Sequence, residues 1–371
     1  MGYFGERLEE LVRRDERGEA IEEFDDLCCG RDILTAAKEG RINRNDTFLM
    51  ISFDGVQLYE KKQSDCWIFI WILLGLSPNC RYKKKYVVPG PNPPKITQSF
   101  LFPALAHVES LNKAGGLHIW NAQSNIIYSS KIFIALAVAD SLGLVHFSGG
   151  VGHSGKHGCQ LWCGQPGLHK EGEATYFLVM FKLDGYMPCR HRTYEVLKMG
   201  QYSMDSECYI EDLRCVMLSH NATDYSENRK ETGIKVPSLF LGMHPDTILG
   251  LPNMFPCDIM HLVLNLADLI TPLLQGSLKL CNKDDDVSTW VWAVLKDNDT
   301  WTQHGADVAN ATKYLPGSFD RPPCNPAKKI NSGYKAWEYL LYLFGLAPGL
   351  LYGVLPLEYG KSFCRLPAAI H

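Results

Sequence analysis

Residues 47–60, TFLMISFDGVQLYE, constrain the fold more than any other stretch of the chain. Phe48 to Phe53 is a run of apolar and β-branched residues, which predicts a buried strand. It stops abruptly at Asp54-Gly55, a turn signal that leaves a carboxylate at the strand tip. A second apolar run, CWIFIWILLGL from Cys66 to Leu76, predicts another strand. A third, Lys85 to Val88, follows the break at Ser77-Pro78-Asn79. Taken alone, Asp54 has a bland reading as the opener of a hairpin turn.

The next segments give Asp54 a second meaning. After the Pro-rich turn PGPNPPK, Phe100 to Lys113 carries Leu101, Leu105, Val108 and Leu111 near helical spacing and ends at Gly115-Gly116. KIFIALAVAD, from Lys131 to Asp140, is again a buried strand that ends in an acid. The predicted order is therefore three strands, a helix and a strand, with carboxylates at the tips of the first and fourth strands. That is the order of an RNase H-like nuclease core, where such acids hold metal ions beside a central strand.

Composition permits this without demanding it. The 371 residues, 46% hydrophobic and 21% charged, suffice for one large domain or two to three ordinary ones. A net charge of −4 excludes a globally basic polyanion binder, so any nucleic-acid surface must come from local clustering. Residues 1–46 hold eight Lys and Arg against thirteen Asp and Glu, and predict a solvated helical extension. Thirteen cysteines in no regular framework, with no signal peptide at Met1, predict reduced thiols, some of them on metal. Tyr339 to Leu357 carries no charge over 19 residues but contains Pro348 and Pro356. It predicts a buried helix that breaks near Gly345 and continues as apolar loop, rather than a membrane span.

GGVGHSGKHGCQLWCGQPGLH, from Gly149 to His169, is the densest motif. Gly150, Gly152 and Gly155 fit G-x-G-x-x-G, but no helix pattern follows. Gly150, Gly155 and Lys156 start a P-loop that fails at His157, where Ser or Thr is required. What remains is His153, His157, Cys159, Cys163 and His169. Thiolates and imidazoles at short spacing suit tetrahedral zinc, with Cys189 and His191 as further candidates. The alternative is a turn with free thiols.

Further on, Lys198 to Asn228 predicts helices, and Arg229, Lys230 and Lys235 form a small basic patch. Asp258 and His261 lie one helical turn apart at the start of an apolar helix, where Asp258 also suits an N-cap. Ser332 begins SGYKAWEYLLYLFGL, which sets Glu338 among large apolar residues; a buried acid without a partner is costly.

Together these stretches resemble the En/Spm, or CACTA-type, DNA transposases, especially the form found in mushroom-type fungi. The likeness is carried by SFDGVQLYEKKQSDCWIFIWILLGLSPNCRYKKKYVVPG, FIALAVAD, GHSGKHGCQLWCG, NRKETGIKVPSLFLG, LPNMFPCDIMHLVLNLADLI and SGYKAWEYLLYLFGLAPGLLY, and runs from about Thr47 to the last residue. The resemblance implies an α/β, RNase H-like mixed sheet flanked by helices that cuts and rejoins DNA with two magnesium (or manganese) ions. Carried over by motif, the metal-holding acids are Asp54, Asp140 and Glu338, with Glu231, which the following Thr232-Gly233 places in a loop, the second choice for the third and Glu358, beyond the Pro356 break, a further candidate. Asp258 and His261 match the family's Asp-x-x-His signature. Lys83, Lys84, Lys85, Arg229, Lys230 and Lys335 are the expected DNA contacts.

Asp140 and Glu338 stand 198 positions apart, so residues 147–325 are expected to be a large Cys/His-containing insertion, with 47–146 before it and 326–371 completing the core. Partners would be transposon ends and target DNA, with self-association, a nuclear location and no membrane. Two departures stand out. Ser141 follows the second aspartate where the family usually has Gly, and the family's terminal-repeat-binding domains are absent from this stretch, as in a partial or relic copy. A transposase-derived DNA- or chromatin-binding protein that has lost catalysis is the alternative.

Overall fold

The computed structural model describes residues 2–57, 65–83, 87–89, 97–122, 124–169, 175–177, 206–278, 286–317 and 321–370. Among the expected site residues, Lys84, Lys85, Cys189 and His191 lie outside them. The chain forms two compact units, Met1–Cys257 and Asp258–His371. Their boundary falls within the 147–325 stretch.

The first unit is mixed α/β. Its elements are α1 (Tyr3–Glu16), α2 (Arg31–Lys38), β1 (Thr47–Gln57), β2 (Asp65–Leu73), α3 (Pro78–Arg81), β3 (Val87–Pro89), α4 (Thr97–Lys113), β4 (Leu117–Asn121), β5 (Ile126–Ser130), β6 (Ile132–Ala139) and α5 (Ser141–Ser148). Then come β7 (Leu168–His169), β8 (Tyr176–Phe177), α6 (Ser206–Met217) and α7 (Ala222–Thr232). The main sheet has the order β3-β2-β1-β6. Strand β1 runs antiparallel to β2 and parallel to β6, with a register shift between Leu49 and Met50.

Burial explains why β1 and β6 read as continuous apolar runs: Phe48, Ile51 and Phe53 of β1 and Ile132 to Ala137 of β6 are all buried. The outer edge of β6 is covered, since Leu249 N donates to Ile134 O (3.2 Å) and Ala137 N to Met254 O (2.9 Å). Backbone groups that would otherwise stay open are thereby paired.

Two expectations change. The acidic first segment is helical, but one face of it belongs to the core, where Phe4, Leu8 and Leu11 of α1 and Ile33 and Leu34 of α2 are buried. Its charges occupy the other face. The β4–β5 hairpin, paired Leu117↔Ser130 through Asn121↔Ile126, interrupts the expected passage from helix to strand.

The second unit is helical: α8 (Ile259–Gln275), α9 (Asn298–Ala311), α10 (Pro326–Lys329), α11 (Ala336–Tyr339), a π-helix (Leu340–Leu346), α12 (Ala347–Leu350) and α13 (Leu357–Ile370). Its core gathers Val263, Ala267, Val308, Tyr339, Tyr342, Leu343 and Phe344. The buried His304 ring hydrogen bonds the Tyr342 hydroxyl at 3.0 Å, and burial holds its pKa below the ordinary histidine value. The expected break at Gly345 does not occur, because π and then α turns carry the chain to Leu350. No helix among the described residues is long and apolar enough to cross a membrane.

Candidate functional site

Parallel pairing of β1 with β6 brings the first two acids to one end of the sheet. Phe53↔Ala139 is the last paired position of the two strands, and Asp54 and Asp140 come next along each. Adjacent strands lie about 4.8 Å apart, so the two acids start from neighbouring backbone positions. Phe53 and Ala139 are buried, while Asp54 is exposed and Asp140 half-buried. The first strand does not stop at Asp54-Gly55 as expected, but runs on to Gln57 against β2, with Asp54 opposite Ile68.

Asp140 has a second duty. It is the N-cap of α5, where its Oδ1 accepts from Gly143 N at 2.6 Å. A Cβ at residue 143 would stand 2.9 Å from the Ala139 Cβ and 3.1 Å from that same oxygen, so glycine lets the helix begin directly on the carboxylate. The cap occupies Oδ1 and leaves Oδ2 for another partner. His146, one turn into α5, has its pKa lowered by burial and by Lys235, against the opposing pull of Asp140.

The Cys/His loop follows α5 and returns to it, as Gln160 Nε2 donates to the Ser141 carbonyl. It is stapled to the NRKETGIK stretch: Val151 N donates to Gly233 O (2.8 Å), and Lys235 N and Val236 N donate to Gly149 O (2.8 and 3.0 Å). Gly149 has φ +71°, and a Cβ there would sit 2.0 Å from Val236 O, so this close crossing needs glycine. Lys156 pairs with Glu231 and holds that carboxyl below its usual pKa.

Of the expected zinc ligands, His157 and Cys159 line one small cavity together with Trp162, Gly164, Gln165 and Thr232. The Cys159 and Cys163 thiols hydrogen bond; burial, and then Cys159, push the Cys163 thiol up to about 11. His157 is held below the usual imidazole value by burial and Lys156, against Glu231 and a hydrogen bond to the Gly164 backbone. His153 and His169 are exposed, the latter against Tyr176 with ring centroids 4.8 Å apart. Among the described residues no group of three or more His, Cys, Asp or Glu side chains is gathered closely enough to hold a metal ion.

Glu231 lies in helix α7, not in the loop its Thr-Gly neighbours suggest; the Asn221 cap and the left-handed Gly233 define the helix ends. Arg229, Lys230 and Lys235 are exposed beside it, with Lys230 Nζ 5.7 Å from the centre of the Tyr176 ring. Lys83 is exposed after α3.

In the second unit, Glu338 finds its partners in the backbone. Oε1 accepts from Cys324 N (3.1 Å) and Oε2 from Lys335 N (3.0 Å), the latter satisfying the backbone N–H of the residue that precedes α11. Burial works to raise its pKa, but hydrogen bonds from Lys335 and Cys324, with Arg321 nearby, hold it below the usual glutamate value. Lys335 and Glu358 are exposed. Asp258 caps α8, as its N-cap reading expects, and also meets the His261 ring, with Oδ2 2.6 Å from Nδ1.

Sequence reasoning missed Gln165. It is 3% exposed, and neither its Nε2 nor its Oε1 has a hydrogen-bond partner. Its position two residues after Cys163 was the only signal. No family model and no curated protein matches the chain.

Proposed function

We propose that this chain carries the DNA-cutting core of a transposase, on an RNase H-like arrangement of its sheet. The observation that carries this reading is that Asp54 and Asp140 each follow directly on Phe53↔Ala139, the last paired position of two parallel strands. The sheet order supports it, since two antiparallel hairpin steps precede α4 and a parallel return at β6. In this reading residues 147–325 are the insertion and Glu338 is the third acid.

Carboxylates at an open sheet end suit magnesium, which takes hard oxygen ligands and keeps several waters. A pair of such ions would supply an activated water or 3′-hydroxyl and stabilise the leaving oxygen. The chain's own work is to hold the two carboxylates. β1 fixes Asp54 by its ladders to β2 and β6, and the α5 cap fixes Asp140 in rotamer. DNA phosphates would meet Arg229, Lys230 and Lys235 next to the Cys/His loop, with Lys83 and Lys335 as further contacts. Self-association and a nuclear location belong to the same proposal.

One observation favours the alternative of a DNA-binding protein that has lost catalysis. Both Glu338 oxygens already serve the backbone, so capping alone accounts for this acid. Purified chain and a labelled duplex separate the two. Divalent-metal-dependent nicking, abolished in Asp54→Asn, is expected for the transposase core. Salt-sensitive binding with no nicking at any metal concentration selects the alternative.

A further inference from the structure

Leu117 to Ser130, LHIWNAQSNIIYSS, runs 14 residues without Asp, Glu, Lys, Arg or Pro in a chain that is 21% charged. This stretch forms the β4–β5 hairpin. It leaves large apolar side chains in solvent, with Trp120, Ile126 and Ile127 at 60%, 59% and 67% exposure. Trp120 pairs with Ile127 and His118 with Ser129, so Trp120 and Ile127 share one exposed face. Ile126, paired with Asn121, lies on the other. The hairpin is a sheet of two strands only. Such a hairpin alone is marginal in water, and a further strand is what steadies it.

The backbone fixes the kind of neighbour that fits. Beyond the ladder to β5, no backbone–backbone hydrogen bond reaches Leu117–Trp120 among the described residues. β5 is less open, since Ser130 at its end is buried and its Oγ meets Thr47 Oγ1 of β1 at 2.7 Å. The edge of β4 thus offers a row of N–H and C=O groups to an extended strand. Native edges are commonly guarded by Lys or Pro, and this one carries neither. DNA does not suit it, because phosphates find no cation on the hairpin. An uncharged, apolar strand does.

We propose that the β4 edges of two copies of this chain pair antiparallel about Ile119, joining the hairpins into one sheet of order β5-β4-β4-β5. Antiparallel pairing of a strand with its own copy is self-complementary, as a two-fold dimer requires. Centred on Ile119, it sets Trp120 of each copy opposite His118 of the other, and Leu117 opposite Asn121, with no charge to repel. The seam gains two cross-strand Trp–His ring pairs and lays Trp120 and Ile127 of both copies along one face. An interface this small belongs to the weak class below about 1,200 Å², so dissociation in the micromolar range is expected. The inference gives the self-association proposed above a place in the fold, and it stands whether or not the chain cuts DNA.

The test is sedimentation of the nucleic-acid-free chain from about 1 to 200 μM, with hydrogen exchange at both ends of that range. A monomer–dimer equilibrium is expected, with the Leu117–Asn121 amides more protected at the higher concentration. Added salt should not weaken an uncharged seam, whereas copies held together by DNA would separate. Trp120 enters a two-fold seam twice, so Trp120→Lys should weaken association at least about tenfold. Its exposure lets the fold survive the change, which circular dichroism checks. Tyr352→Lys, at an aromatic residue 87% exposed elsewhere, should leave association unchanged. A chain that stays monomeric throughout would overturn the proposal. So would a dimer indifferent to Trp120→Lys, or β4 protection that does not vary with concentration. Nicking is scored separately on labelled duplex, so failure of the seam and failure of the cutting reading are told apart.

Discussion

The guanidinium of Arg81 faces the carboxylate of Asp26 edge to edge, with Nη1 2.7 Å from Oδ1 and Nη2 2.7 Å from Oδ2. The two side chains are only 1% and 4% exposed. Arg81 Nε also donates to Leu76 O (2.9 Å), and Asp26 Oδ1 accepts from Leu27 N (2.7 Å). The acidic N-terminal segment is thus clamped to the connection that leaves β2. Removing one partner strands a buried charge, so Arg81→Met should destabilise the first unit by about 3–5 kcal/mol. Arg81→Met/Asp26→Leu should recover most of this loss. Denaturant unfolding of the three proteins checks it, and a double variant as unstable as the single would show that the pair itself is needed.

Asp140 carries two roles that substitution can separate. Asparagine caps a helix about as well as aspartate, whereas alanine loses about 1 kcal/mol. Asp140→Asn should therefore keep thermal stability and reduce divalent-metal-dependent nicking by at least about 100-fold, more than a ligand's outer partner would cost. Asp140→Ala should lose both activity and stability. Asp140→Asn with wild-type nicking would remove this residue from the site.

Glu338 predicts a pH effect of defined sign. Its folded-state pKa is depressed below the ordinary 4.5, so its stabilisation is present above that pH and is lost as pH falls through the folded value. Protection of the Cys324 and Lys335 amides, the two donors it accepts from, should drop on acidification below 4.5. Hydrogen exchange corrected for intrinsic rates would show this. In Glu338→Gln the same amides should be less protected at neutral pH and insensitive to acid.

The basic patch on and after α7 makes a prediction about salt. If Arg229 and Lys230 each neutralise one phosphate, Arg229→Ala/Lys230→Ala should lower the slope of log affinity against log salt by about 2, evenly across DNA sequences. A changed sequence preference with an unchanged slope would argue against phosphate contact.

The end of β6 was legible because a strand buried on both faces can tolerate an acid only where it ends, as Ala139-Asp140 shows; the stop expected at Asp54-Gly55 is not a strand end, since β1 runs on to Gln57 against β2 and Asp54 marks only the end of its pairing with β6. The β4–β5 hairpin was not. In LHIWN and IIYSS the strongest apolar residues, Trp120 and Ile127, face solvent at 60% and 67% exposure, so periodicity gave no inward face to read. Glu231 looked like a loop residue because Thr-Gly follows it, yet that glycine ends the helix rather than preceding it. The partners of Glu338 were illegible in principle, since Cys324 lies 14 residues upstream and offers only a backbone N–H. For Cys159 and Cys163 the spacing revealed the thiol pair, while the buried amide that accompanies them required coordinates.

The π-helical turns from Leu340 to Leu346 have a consequence for how this region tolerates change in length. A π turn closes a hydrogen-bonded ring one residue wider than an α turn, so this segment holds a residue more than the same rise of α-helix needs. Deleting one residue there would let the ladder contract to α geometry while Glu338 on one side and α12 on the other keep their facing. The same deletion in α8 would instead rotate every residue beyond it by about 100°. Among the described helices of the second unit, this segment is therefore the place where a sequence can shed a residue without repacking its neighbours.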